Sequence, residues 1–107
     1  MITLERDTLI FRFPEVHAQA KTEIEFQRTL RIPDDTKEYP LPPGLGKFQL
    51  RHTEDHKNRL PADWLARGGV FMPLYRAEAM WISFGGSGGG GAGARGYPCA
   101  IKIAAGK

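Results

Sequence analysis

Two histidines four residues apart, His52 and His56, enclose a threonine and two acids in the run His52-Thr53-Glu54-Asp55-His56. On a helix that spacing would set both imidazoles on one face, as a zinc pair requires. The segment is too short and polar for such a helix, and Asp55 stands where the His-x-x-Glu-His pattern needs glutamate. Solvated loop histidines are the plainer reading, and no metal is expected. Cys99 is the sole cysteine, which excludes an intramolecular disulfide and a Cys-rich metal knuckle. It shares a face with Ile101 and Ile103, alternating with Ala100 and Lys102, so it reads as a small buried apolar residue and not as a nucleophile. The glycine-rich stretch 85–96 lacks the Gly-Lys-Ser/Thr ending of a phosphate loop and precedes a strand-like segment. There is no Gly-x-Ser-x-Gly elbow and no carboxylate pair assigned to a cleft. No catalytic residue is assigned, and no cofactor is expected.

What remains is binding chemistry. Arg28 interrupts an otherwise apolar row. It reads either as a strand-edge side chain reaching for water or as a charge held in a ligand pocket. Arg28, His52, His56 and Tyr75 form the candidate ligand-binding set. The net charge of +3 suggests a second possibility. Residues 1–35 carry a net −2 and residues 36–107 a net +5, so the basic excess lies in the second part. Its densest segment places Lys47, Arg51, Lys57 and Arg59 around Glu54 and Asp55, which dilutes any stripe a phosphate backbone could follow. Nucleic-acid binding through those four residues is therefore the lesser alternative.

The elements that must carry these residues are mostly strands. Ile2, Leu4, Leu9, Phe11 and Phe13 alternate with polar residues. With Arg6-Asp7 as a two-residue turn, Glu5 faces Thr8, Leu4 faces Leu9 and Ile2 faces Phe11. Arg-Asp is not the Asn-Gly or Asp-Gly pair that tight hairpins favour, so a longer loop is the alternative. Ile24, Phe26, Leu30 and Ile32 again repeat with period two. Residues 39–46, with three prolines and two glycines, read as irregular and stiff. Phe48 and Leu50 share one side of a strand-like stretch, and Thr53 is a plausible cap for a short polar turn. Residues 61–68 open with proline and end with glycine around Trp64 and Leu65, the pattern of a short helix. Residues 78–84 resemble a central strand, apolar on both faces, with residues 99–103 returning beside it. The stretch 85–96 holds eight of the thirteen glycines and reads as a flexible linker, natural or engineered.

Residues 39–46, 67–73 and 97–107 carry a resemblance covering 1–84 and 97–107. In them the chain resembles the opening part of a family of uncharacterised bacterial proteins. That resemblance implies a chain continuing past 107 but brings no activity, cofactor or site residue with it.

Together these readings predict a mainly β (or α+β) domain. Five to six strands would form a small curved sheet or partly closed barrel with one short helix. The expected core is Leu4, Leu9, Phe11, Ile24, Phe26, Leu30, Phe48, Leu50, Trp64, Val70, Ile82 and Ile101. The expected function is a non-enzymatic binding or scaffold module whose partner is another protein or the remainder of its own chain. The alternative is the N-terminal part of an enzyme or ligand-binding protein whose site is completed beyond residue 107. An incomplete sheet edge also allows a homodimer. No apolar run reaches membrane-spanning length, and no secretory leader is recognisable, so a cytoplasmic address is expected.

Overall fold

The computed structural model describes residues 1–85 and 98–106. It is mainly β, an antiparallel five-stranded sheet that does not close into a barrel, joined to a small two-stranded sheet and one short helix. No helix among the described residues is long and apolar enough to cross a membrane. The glycine-rich linker expected at 85–96 lies, apart from Gly85, outside the described residues.

Strands β1 (Ile2–Glu5) and β2 (Thr8–Arg12) form the hairpin in the expected register, from Ile2 opposite Phe11 to Glu5 opposite Thr8. The turn is the two-residue one. Arg6 and Asp7 both take positive φ, 48° and 61°, which a primed turn demands and side-chain-bearing residues resist. Two bonds from outside the hairpin offset that strain. The Lys47 ammonium donates to Arg6 O at 2.8 Å, and the Leu50 N–H donates to Asp7 Oδ1 at 3.0 Å.

Strand β3 (Lys21–Leu30) is the centre of the sheet. Its first half pairs with β2 and its second half with β4 (Gly44–Lys47), while β7 (Glu78–Phe84) pairs with its other side from Ile24 to Leu30. Strand β4 falls partly within the stretch expected to be irregular. Glycine at positions 44 and 46 is what admits it. The Trp81 ring reaches to 3.6 Å from where a Cβ of Gly44 would sit, and Gly46 has φ +95°.

Alternation in β3 divides the sheet into two faces, and the buried one is not the apolar one. Thr8, Ile10, Glu25 and Thr29 are buried on one face. The opposite row, which includes Ile24 and Phe26, is only half-buried, and Leu30 is exposed. The polar row tolerates burial because the β4 side supplies its partners. Thr29 Oγ1 donates to Pro43 O, and Lys47 lies 3.6 Å from the Glu25 carboxylate. The deepest apolar side chains are Phe48 and Leu50, as expected, in the segment leaving β4 beside the Arg6-Asp7 turn. Trp64 and Ile101, expected inside, are exposed.

Beyond that segment, β5 (Arg51–His52) pairs with β6 (Val70–Phe71) around a 3-10 turn (Thr53–His56) and helix α1 (Ala62–Arg67). The helix matches the pattern of proline before it and glycine after it. Thr53 is not a cap: His52 precedes the turn, and the buried Thr53 hydroxyl donates to Gly69 O at 3.3 Å. Residues 98–106 form no strand. They run irregularly, leaving Cys99 exposed instead of buried.

Candidate functional site

The register of β3 with β7 sets Ile24 opposite Phe84, Phe26 opposite Ile82, Arg28 opposite Met80 and Leu30 opposite Glu78. These eight side chains share one face, because directly opposed residues in an antiparallel pair point the same way. Leu9 and Phe11 of β2 extend it through their pairing with Ile24 and Thr22. The apolar part is the floor of an open cleft of about 490 Å³, with residues 99–104 along its other wall. The thiol of Cys99 donates weakly to Thr22 Oγ1 at 3.7 Å beside that floor.

The Arg28–Glu78 ion pair lies on the same face, where the apolar row ends. Arg28 Nε donates to Glu78 Oε2 at 3.0 Å, and a second guanidinium nitrogen donates to Oε1, a two-pronged grip. The guanidinium carbon lies 5.9 Å from the centre of the Tyr75 ring. The hydrogen bond from Arg28 holds the Glu78 carboxyl below its ordinary range, and the same bond raises Arg28. Arg28 is therefore neither reaching idly for water nor vacant. An incoming anion would have to displace Glu78. Two of the four ligand-binding candidates, Arg28 and Tyr75, are thus brought together, with Glu78 as a third member that no local pattern revealed.

The histidines belong to other elements. His52 is exposed on β5 opposite Val70, and the His56 ring sits edge-on to Phe71 with centroids 5.4 Å apart. Among the described residues no group of three or more His, Cys, Asp or Glu could hold a metal ion. The four basic candidates do not form one stripe. The Lys47 ammonium contacts Arg6 O, Thr8 Oγ1 at 3.0 Å and Glu25, while Arg51 donates to its neighbour Leu50 O. Lys57 and Arg59 share a shallow surface depression with Glu54 and Asp55.

A second polar cluster escaped the sequence reading. Glu25, 3% exposed, accepts from Thr8 Oγ1 at 3.2 Å and Gln27 Nε2 at 3.0 Å, with Lys47 closing the group. It fastens β2, β3 and β4 together and faces away from the cleft. No family model matches the chain, and searches of the curated proteins and of the solved structures also return no match.

Proposed function

We propose that the chain is a non-enzymatic binding module, cytoplasmic in address, whose apolar sheet face takes an extended apolar segment of a protein. The observation that carries this is the cleft of about 490 Å³ over Ile24, Phe26, Ile82 and Phe84. A sheet normally buries its apolar row, and this one buries its polar row, leaving the other for a partner. Residues 99–104 supply the mode of recognition. They lie along the cleft without strand pairing, and Ile101 and Ile103 border the same floor. A ligand with aliphatic side chains two apart fits that arrangement. The two charged residues that the β3 and β7 rows place on this face, Arg28 and Glu78, satisfy each other, which supports binding over catalysis.

Selection from a random-peptide display library tests the proposal. Enriched sequences should alternate aliphatic residues and bind a Phe13→Glu variant about tenfold more weakly. Phe13 borders the cleft and is 39% exposed, so the variant should keep its circular dichroism spectrum. Failure to enrich such peptides, or equal binding to both proteins, would remove the reading.

A further inference from the structure

We propose that the outer edge of β7 pairs antiparallel with β7 of a second copy of this chain, joining two five-stranded sheets into one. The observation here concerns the backbone and is separate from the apolar face. Gly85 N–H donates to Glu23 O at 2.9 Å, and Arg31 N–H donates to Ala77 O at 3.0 Å. Both follow the register that sets Ile24 opposite Phe84. Hydrogen-bonded pairs alternate along an antiparallel ladder, so the odd residues of β7 bond inward to β3. The N–H and C=O groups of Met80, Ile82 and Phe84 consequently point away from the sheet. Among the described residues, no backbone group is bonded to them. The Glu78 N–H is already taken by Tyr75 O at 3.1 Å. Residues 99–103, the strand expected beside β7, line the cleft instead.

Exposed edges are ordinarily guarded by shortness, proline or charge. The edge strand β1 is four residues long and ends in Glu5, whereas β7 is seven long, and residues 79–85 contain neither proline nor charge. The strand suits a copy of itself. A two-fold axis at Ile82 sets Ile82 opposite its counterpart and Met80 opposite Phe84 of the partner subunit. All three outward residues of each copy then find partners, and Glu78 stays outside the paired stretch, so no like charges meet. Met80, Ile82 and Phe84 also share a face, and the apolar floor would continue across the junction.

Sedimentation equilibrium of the full chain from about 10 μM to about 1 mM tests this. The mass should climb from 11.9 kDa towards twice that value. Amide exchange at Met80, Ile82 and Phe84 should slow with concentration, while Trp81 and Ser83 stay constant. Met80 is 38% exposed, so Met80→Lys should preserve the fold and raise the concentration needed for dimer by roughly tenfold or more. A constant monomer mass with concentration-independent exchange at the three amides would overturn the proposal. So would a dimer indifferent to Met80→Lys; if Phe13→Glu dissolved that dimer, the contact would lie on the apolar face.

Discussion

Replacing Phe48 and Phe84 by alanine, one at a time, asks which residues close the core. The two side chains are chemically identical, yet Phe48 is 1% exposed and Phe84 is 45% exposed. Removing a fully buried phenylalanine ring costs about 3–5 kcal/mol, counting lost transfer free energy and the void left behind. At Phe84 roughly half the ring already meets water and no closed void can form. Half of the ~1.5–3 kcal/mol for burying such a side chain leaves about 1 kcal/mol. For a domain near this size, 1 kcal/mol moves Tm by about 4–8 °C, so Phe48→Ala should lower it by about 12 °C or more and Phe84→Ala by less than about 8 °C. Urea denaturation followed by tryptophan fluorescence and circular dichroism gives both free energies. Equal losses would refute the assignment of an open apolar face, and a loss below about 1 kcal/mol at Phe48 would refute its place in the core.

Lys47→Met should destabilise the chain by about 1–3 kcal/mol, because it removes a cation set against the buried Glu25 carboxylate and the ammonium donor to the Arg6 carbonyl, leaving Glu25 with neutral donors such as Thr8 and Gln27; urea titration measures it, and a neutral result would show that Lys47 contributes nothing to the cluster. Arg6→Asn should stabilise by roughly 0.5 kcal/mol, since asparagine tolerates the φ of 48° better than arginine does, and a lowered Tm would contradict the turn geometry. The Glu78 carboxyl is held below its ordinary value of 4.5 by its bond to Arg28. Its contribution is complete above that value and is lost as pH falls through the lowered native one. The stability gap between wild type and Glu78→Gln should therefore narrow below about pH 4.5, and be modest and salt-sensitive because Arg28 is a third exposed. A gap constant from pH 6 to 2 would speak against the pair.

Period-two alternation was sufficient to place β1, β2, β3 and β7 and to set the first hairpin's register, because it fixes which side chains point together. It does not say which of two faces receives a cover. For β3 that decision rests on Pro43, Lys47 and Trp81, which lie at least 13 residues further along the chain and meet Thr29, Glu25 and Gly44 only after folding. Glu25 looks like a solvent-facing residue until its lysine is known. Arg28 was visible as an anomaly, but Glu78 is 50 residues away and nothing local announces it. Residues 99–103 carry a clean strand pattern and form no strand. Alternation expresses suitability for a ladder, and the partner has to be free.

Sliding a strand by one residue turns over every side chain it carries. For β3 the slipped arrangement would swap carboxylate and hydroxyl groups for Ile24, Phe26 and Leu30 on the covered side, a change that water alone would reward. Oil-and-water sorting therefore pulls this strand towards the wrong alignment. The Lys47 ammonium, gripping the hairpin turn and the Glu25 carboxylate at once, opposes that pull together with the Thr29–Pro43 bond and the Trp81 ring over Gly44, so the share of the alignment carried by charge weakens in strong brine while the hydrogen-bonded ladders persist.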